Sequence, residues 1–422
     1  MSALRLVVVE RRTGIYAVNV LLGALETTHP DLDVDVRFAS TPERAAAALA
    51  DLDDRALVVW SFYSADLPQA AADLAAVRAL VDDDRITHVA GGVHAAAEPA
   101  RTLAAGWDLV ATGEGEVTFP ALVHALARRE PLADVPGLGW LDADGEYAHS
   151  GPAPRAEVLD DWAPWSVRHG RYNPIELTRG CIYGCRFCQT PFLFRARFRH
   201  RSVDAVAEHV RHFRALGMRY VRFITPTALS FGTQGTEPDL DAVEALLAAC
   251  REAIGPGGKV YLGSFPSEIR PEHVTPEALA ILKRWVDNTS LIVGAQSGSD
   301  AVLEASNRGH GVAEVERAVR VAIDAGFRPD VDLLFGLPGE GPDEAAASVR
   351  LAQRLADLGA RIHAHTFMPL PGTPFRSAAP GRVADEARVD LERLASRGAL
   401  YGQWKQQEQR AETLVPLVRR TR

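Results

Sequence analysis

Residues 178–189 read Thr178-Arg-Gly-Cys-Ile-Tyr-Gly-Cys-Arg-Phe-Cys-Gln189, and the interpretation of the whole chain starts from them. This stretch holds Cys181, Cys185 and Cys188, three of the four cysteines in the chain. Three thiolates can hold three irons of a four-iron cluster and leave the fourth iron without a protein ligand. The spacing therefore predicts a [4Fe–4S] site with one iron open to a small molecule.

Two other interpretations of these cysteines are a zinc site and buried structural thiols. A structural zinc ion takes four ligands, usually in paired Cys-x2-Cys or His-x3–5-His spacing. No second cysteine pair follows, and His200 has no partner at that spacing. The number of ligands thus favours the cluster. Cys250 ends a helical stretch rich in leucine and alanine, which favours a small buried side chain.

The spacing Cys-x3-Cys-x2-Cys, with Phe187 before the last cysteine, resembles the signature of the radical S-adenosylmethionine (SAM) enzymes. In that family the amino and carboxylate groups of SAM bind the fourth iron. Electron transfer then breaks a C–S bond and gives a 5′-deoxyadenosyl radical. The resemblance also implies an electron donor such as a flavodoxin or a ferredoxin.

The composition is that of a globular protein without a membrane or nucleic-acid partner. The chain has 422 residues, of which 47% are hydrophobic and 24% charged, and its formal net charge is −9. No apolar run approaches the length of a bilayer, and the first residues lack the features of a signal sequence. A negative charge does not favour nucleic-acid binding. The few cysteines, three of them committed to one site, predict a reducing, cytoplasmic location.

Residues 1–130 alternate short apolar runs with helical stretches, which predicts a doubly wound, Rossmann-like parallel sheet. Ligands of such sheets bind at the carboxyl ends of the strands. Ser61 follows the third predicted strand, Gly91 and Gly92 follow the fourth, and Gly113 follows the fifth. We expect these residues to line any ligand site in this part of the chain.

The rest of the chain predicts a second domain of βα units. Residues 131–170 are rich in Pro, Gly and Asp and predict a linker with a small hairpin around Asp144-Gly145. Residues 171–376 contain six alternating strand and helix patterns, which predict a partial (βα)6 TIM barrel. Residues 377–422 predict a helical extension. The cysteine stretch follows the first barrel strand and so belongs to the catalytic face of such a barrel.

The positions of Ser61, Gly91, Gly92 and Gly113 resemble those of the cobalamin (B12)-binding domain that precedes many radical SAM domains. The resemblance implies that these residues make room for the corrinoid. Residues 10–16 lack the Asp-x-His-x-x-Gly motif of domains that coordinate cobalt from below, so a histidine lower ligand is not expected. The alternatives are a domain that keeps the shape without the cofactor, or a plain nucleotide-type sheet.

Glycine-rich segments follow three later barrel strands, at residues 294–299, 335–340 and 368–374. Together with the cysteines they resemble the SAM-binding segments of the radical SAM family. The resemblance implies contacts of the Phe187 backbone with adenine, of Gln296 and Ser297 with ribose, of Arg308 with the carboxylate and of Gly336 with adenine. Residues 225–230 lack the acidic pattern that the family often uses for the SAM amino group.

On the sixth barrel strand, Arg361, His363 and His365 share one face by the period-two alternation of strands. Asp330 and Asp332 share one face of the fifth strand in the same way. We expect the three basic residues to face substrate, where imidazoles can orient a polar group or move a proton. The alternative is a set of satisfied structural polar groups at the base of the barrel.

Together these features predict a cobalamin-dependent radical SAM enzyme that methylates an unactivated carbon of a small molecule or peptide. One alternative is a radical SAM oxidoreductase or cyclase without methyl transfer. Another, from a different class, is an iron–sulfur electron carrier or redox sensor. Production of 5′-deoxyadenosine and the mass of the product distinguish them.

Overall fold

The computed structural model describes residues 4–418, which form two compact units, Met1–Asn173 and Pro174–Arg422. Both units alternate strands and helices, and the predicted α/β fold class is confirmed. Among residues 4–418, no helix has the length and apolar character needed to cross a lipid bilayer.

The first unit consists of one seven-stranded sheet and six helices. The strands are β1 (Leu4–Val9), β2 (Val34–Ala39), β3 (Ala56–Ser61), β4 (Ile86–Gly91), β5 (Leu109–Ala111), β6 (Leu138–Leu141) and β7 (Tyr147–His149). The helices are α1 (Ile15–Thr28), α2 (Pro42–Leu49), α3 (Leu67–Leu80), α4 (Val93–Ala97), α5 (Pro99–Ala104) and α6 (Gly115–Arg128).

The sheet of the first unit has the strand order β2-β1-β3-β4-β5-β6-β7. Strands β1 to β5 are parallel, and β1 and β3 are buried along their whole length, as a sheet covered on both faces requires. The order reverses direction between β1 and β3, and such a switch point opens a crevice for a ligand.

Residues 131–170, expected to form a linker, belong to the first unit. Strand β6 pairs antiparallel with β5, and β7 pairs antiparallel with β6, so the hairpin extends the main sheet. This pairing protects the edge of β5.

The second unit contains nine strands and nine helices among the described residues. The strands are β8 (Ile175–Glu176), β9 (Thr178–Arg179), β10 (Arg199–His200), β11 (Tyr220–Ile224), β12 (Lys259–Tyr261), β13 (Ser290–Gln296), β14 (Arg328–Phe335), β15 (Arg361–Thr366) and β16 (Leu400–Tyr401). The helices are α7 (Thr190–Leu193), α8 (Val203–Ala215), α9 (Leu240–Ile254), α10 (Pro276–Trp285), α11 (Asp300–Ala305), α12 (Val312–Asp324), α13 (Pro342–Asp357), α14 (Asp385–Ser396) and α15 (Trp404–Val418).

The strands of the second unit form an open, partial barrel. Two parallel sheets, β12-β11-β8 and β13-β14-β15-β16, are joined by a single bridge between Ile269 and Val293. No closed ring of strands is found among residues 4–418. A short strand that the sequence pattern did not predict, β16, pairs with β15 beyond the six predicted strands. Helix α14, strand β16 and helix α15, which fall in the region expected to be an extension, belong to this unit, and Trp404 packs into its core.

Several helices of the barrel begin where a side chain caps the backbone. Ser202, Asp239 and Thr275 accept hydrogen bonds from the third following N–H at the starts of α8, α9 and α10. Such caps satisfy N–H groups that have no partner inside the helix. They place each helix start shortly after a connecting loop.

Candidate active site

A cavity of about 350 Å³ lies at the carboxyl ends of the barrel strands, within the size range of ligand sites. The cysteine loop and several later segments contribute to its wall. The lining residues are Cys181, Tyr183, Cys185, Phe187, Cys188, Thr190, Pro191, Pro226, Thr227, Glu268, Arg270, Gln296, Arg308, Asp332, Leu334, His365, Thr366, Phe367, Met368, Leu370 and Gln407.

The cysteine loop is held in place by the segment that follows α11. The Asn307 side-chain amide donates to the carbonyl oxygens of Tyr183 and Gly184 at 2.8 and 3.1 Å. The Arg186 N–H donates to the Ser306 carbonyl oxygen at 3.0 Å. These bonds fix the backbone on both sides of Cys185 and so preorganise the three thiols.

The chemistry of the thiols fits a metal cluster. Burial raises the pKa of the Cys181 thiol to about 11, and burial also raises the pKa of Cys188. Both groups are therefore protonated until a cation replaces the proton, as in other metal-binding thiols. Arg308 donates from Nη1 to Cys185 Sγ at 3.4 Å, which favours negative charge on that sulfur.

The spacing of the three sulfurs does not suit a single zinc ion. Two sulfurs bound to one zinc at about 2.3 Å are at most about 4.6 Å apart. Among residues 4–418, Cys181, Cys185 and Cys188 do not form a group whose ligand atoms all lie within 4.8 Å of one another. In a cluster each thiolate binds a different iron, which spreads the sulfurs further. The arrangement therefore fits a cluster better than zinc.

Arg308 and Glu268 form an ion pair in the cavity wall. Arg308 Nη2 lies 3.2 Å from Glu268 Oε1 and donates to the Gly294 carbonyl oxygen at 2.7 Å. Burial lowers the pKa of Arg308, but the negative charges of Glu268 and Cys185 outweigh it and raise the pKa overall. The guanidinium is a permanent positive charge beside the cysteine loop.

The residues predicted to contact SAM divide into two groups. Phe187, Gln296 and Arg308 line the cavity. Ser297 lies outside it, fully buried, with its hydroxyl 3.4 Å from that of Ser348 on α13. Gly336 is also absent from the wall, and a Cβ at this residue would collide with the backbone of residues 381 and 382. The absence of a side chain at Gly336 allows this close packing.

The basic face of β15 forms a polar cluster with β14. His363 Nδ1 lies 2.9 Å from Asp332 Oδ1, and His365 Nε2 lies 3.1 Å from His363 Nδ1. Burial alone would raise the pKa of Asp332. Hydrogen bonds with the two histidines have a larger, opposite effect, so the pKa of Asp332 is lowered overall. Of the three basic residues, only His365 lines the cavity; the Arg361 guanidinium lies over the Tyr401 ring at 4.3 Å.

Three residues that the sequence pattern did not predict contribute charge or polarity to this wall: Glu268, Arg270 and Gln407. Glu268 and Arg270 alternate just beyond β12, and this period-two spacing was the available signal. The Arg270 guanidinium carbon lies 3.6 Å from the centre of the Tyr183 ring. Gln407 comes from α15, far along the chain, and had no signal of its own. Glu268 places an acidic side chain in the cavity wall, whereas residues 225–230 contain none.

Of the predicted corrinoid residues, Ser61 ends β3 at the strand switch of the first unit, and Gly91 and Gly92 lie at the end of the neighbouring β4. A small closed space at the switch, lined by Ser61, Gly14 and the end of β1, has no room for a ligand. Gly14 has a φ of 87°, and a Cβ on it would lie 2.7 Å from Ser61 Oγ; a Cβ on Gly92 would lie 3.0 Å from the same atom. Both glycines therefore allow the backbone to pack closely against Ser61, where a larger residue would collide.

Two other features of the first unit bear on the predicted corrinoid site. Gly113 packs toward Ala153, whose Cβ would lie 2.9 Å from an added Cβ. His94 is fully buried, contacts Ser64 Oγ at 3.0 Å, and burial lowers its pKa to about 4. His94 is therefore a neutral side chain in the core of the first unit.

Glu340, in the glycine-rich loop after β14, should make stability depend on pH. Its Oε1 accepts the Gly336 N–H at 2.6 Å, its Oε2 is buried without a partner, and burial raises its pKa from 4.5 to about 7. Between pH 4.5 and 7 the folded chain keeps this proton and the unfolded chain loses it. The free energy of unfolding should therefore fall as pH rises from 4.5 to 7, by about 3 kcal/mol in total.

Glu340→Gln keeps an acceptor for the Gly336 N–H and removes the ionisable group. In urea unfolding, its free energy of unfolding should exceed that of wild type above pH 7 and should depend less on pH. Glu304→Gln, on an exposed residue of α11, is the matched control and should follow the wild-type profile. A Glu340→Gln profile parallel to that of wild type would contradict the assignment.

Comparisons with known proteins identify the family of the domain that contains the cysteine loop. Residues 175–352 match the sequence profile of the Radical SAM superfamily, so the second unit carries a radical SAM domain. Among solved structures, TsrM from Kitasatospora setae, a radical SAM methyltransferase with cobalamin and a [4Fe–4S] cluster, superposes with a TM-score of 0.69 at 19% identity. The match covers 90% of this chain and 75% of that one.

The cobalamin-dependent radical SAM enzyme OxsB superposes with a TM-score of 0.67 at 16% identity, covering 97% of this chain and 56% of that one. An uncharacterised methyltransferase of Pyrococcus horikoshii is 25% identical over 69% of this chain and 62% of its own length. A tRNA-2-methylthio-N(6)-dimethylallyladenosine synthase of Saccharophagus degradans is 28% identical over 52% of this chain and 47% of its own length. The chain spans less than two thirds of these curated relatives. The predicted fold, a doubly wound unit followed by a partial barrel, is that of cobalamin-dependent radical SAM enzymes.

Proposed function

We propose that this chain is a cobalamin-dependent radical SAM enzyme that methylates an unactivated carbon of a small molecule or peptide. The observation that carries the proposal is the shared cavity: three thiols of one short loop face the same space as Phe187 and Gln296. A cluster held there supplies the electron that cleaves SAM to a 5′-deoxyadenosyl radical. We further propose a flavodoxin or ferredoxin as electron donor.

The residues of the cavity have separable roles in this proposal. Cys181, Cys185 and Cys188 would hold the cluster, and Glu268 would accept hydrogen bonds from the SAM amino group. Apolar side chains such as Phe367 and Leu370 in the wall exclude water, which protects a reactive radical from side reactions. His365, which also lines the cavity, would orient the substrate.

The proposed corrinoid site is the carboxyl edge of the first unit's parallel sheet, where β3 ends at Ser61 and β4 ends beside Gly91 and Gly92. When bound, cobalamin supplies the methyl group. The β1/β3 switch point supports this placement, because open parallel sheets bind ligands at such points.

All four cysteines are free, which supports our proposal of a reducing, cytoplasmic location.

The function is tested by anaerobic reconstitution with iron, sulfide and hydroxocobalamin, followed by gel filtration and product analysis. We expect about one corrinoid per chain, 5′-deoxyadenosine formation that depends on SAM and reductant, and a substrate mass increased by one methylene. Cleavage of SAM without retained corrinoid would point to an oxidoreductase or cyclase. No SAM cleavage at all would leave an electron carrier.

A pair of substitutions at one residue tests the corrinoid site. Ser61→Leu adds bulk at the carboxyl end of β3 and should reduce corrinoid retention at least about tenfold, through a steric clash that costs about 1–3 kcal/mol. Ser61→Ala adds no bulk there and should bind like wild type. Thermal unfolding of both variants checks that the sheet is intact, and equal retention by Ser61→Leu and Ser61→Ala would refute the location.

A further inference from the structure

Asp332, His363 and His365 bring three potential ligand atoms together at one side of the cavity. Asp332 Oδ1, His363 Nδ1 and His365 Nε2 all lie within 4.8 Å of one another, and no other group of three such residues does so among residues 4–418. We propose that these three side chains bind a divalent first-row transition-metal ion, separate from the cysteine site. The inference goes beyond the proposed function.

The dimensions of the triad fit one ion. The three atoms are 2.9, 3.1 and 3.9 Å apart, so the circle through them has a radius of about 2.0 Å. Bonds from zinc to histidine nitrogen and carboxylate oxygen measure about 2.0–2.2 Å. The distances between the three ligand atoms are therefore those that a single bound ion allows.

Hydrogen bonding alone does not explain why these atoms converge. The Thr366 N–H donates to Gln407 Oε1 at 3.0 Å, which turns the Gln407 amide nitrogen toward His365 Nδ1 at 3.2 Å. His365 then carries its proton on Nε2 and donates it to His363 Nδ1. His363 Nδ1 accepts this hydrogen bond and so carries no proton that it could donate to Asp332. Asp332 Oδ1 nevertheless lies only 2.9 Å from His363 Nδ1.

A cation removes this conflict, because all three atoms then present lone pairs to it. The imidazole and carboxylate donor set suits zinc, iron, cobalt and nickel, and two histidines with one carboxylate leave coordination positions open. Asp332, His365 and Gln407 line the cavity. The open positions are therefore available to a carboxylate or hydroxyl group of a substrate.

Binding of an ion to His365 Nε2 has a consequence at Gln407. The proton of His365 moves to Nδ1, and Gln407 must turn its carbonyl oxygen to accept it, which removes that oxygen from the Thr366 N–H. A carboxylate at residue 407 can accept both hydrogen bonds at once. Partners of this kind change metal affinity by about 10- to 100-fold.

Zinc is the probe for the test, because it is distinguished from the iron of the cluster. The cluster-reconstituted chain, without an affinity tag, is titrated with Zn²⁺, and zinc per chain is measured after gel filtration. We expect about one zinc per chain, affinity at least about tenfold lower in Asp332→Asn and His363→Gln, and affinity raised by Gln407→Glu. Asp330→Asn, two residues away on β14, is the matched control and should bind as wild type does.

Zinc that is not retained, or that is retained equally by Asp332→Asn, overturns the proposal. X-ray absorption of the wild-type zinc protein keeps the test decisive if the variants fold poorly. Nitrogen and oxygen neighbours at about 2.0–2.2 Å support the site, and sulfur neighbours at about 2.3 Å place the zinc on the cysteines and refute it. Neither readout depends on SAM cleavage, so failure here leaves the proposed function intact.

Discussion

Replacing Cys181, Cys185 or Cys188 with alanine is expected to abolish 5′-deoxyadenosine formation, down to the level of a protein-free control. Each thiolate is expected to hold a different iron, so the loss of one leaves a cluster with two protein ligands. The measurement is SAM cleavage under reducing, anaerobic conditions, together with iron and sulfide content. Circular dichroism of the variants checks that the fold survives.

Cys250→Ala is the matched control for these substitutions. Cys250 is fully buried in α9, and burial raises its pKa to about 12, so it is a neutral core thiol. Its replacement should cost about 1 kcal/mol of stability and leave cluster content and SAM cleavage unchanged. Turnover that survives in any of the three loop variants would remove the basis of the proposed function.

Arg308→Met should have the second large effect, on both stability and the cluster. It leaves Glu268 without its buried cation, which should lower the free energy of unfolding by about 2–4 kcal/mol. It also removes a positive charge that contacts Cys185 Sγ. Since that charge favours the more negative, reduced state of the cluster, the reduction potential should fall by roughly 50–100 mV, where 59 mV corresponds to a tenfold change for one electron.

The measurements are urea unfolding and redox titration followed by electron paramagnetic resonance. Arg361→Met is the control, because Arg361 pairs with Asp330 and stacks on Tyr401 outside the cavity wall. The double variant Arg308→Met/Glu268→Gln should regain part of the lost stability, since the uncompensated carboxylate is gone. An unchanged potential in Arg308→Met would show that its charge does not reach the cluster.

Much of the fold was predictable because its parallel strands are buried on both faces. A run such as β3, apolar over nearly its whole length, has one plausible environment in a protein of this size. The cysteine loop was predictable for a different reason, because ligand number and spacing are local properties of the sequence. In both cases, neighbours along the chain carry the information.

The failures of prediction lie where distant segments or irregular strands decide the environment. The pairing of β13 with β14 shifts register between Gly294 and Gln296. Gln296 lines the cavity, and the next residue, Ser297, packs on α13 instead. Gln407 reaches the site from α15, and Asp332 meets His363 only through the register of β14 and β15.

The extent of the Radical SAM match divides the cavity wall into two parts. The match ends at residue 352, whereas His365, Phe367, Met368, Leu370 and Gln407 come from later segments. In the function proposed above, the matched part would carry SAM cleavage, and the later segments would contact the molecule to be modified. On that proposal, exchange of β15 and α15 between relatives is expected to change the substrate and to leave the initiation step in place.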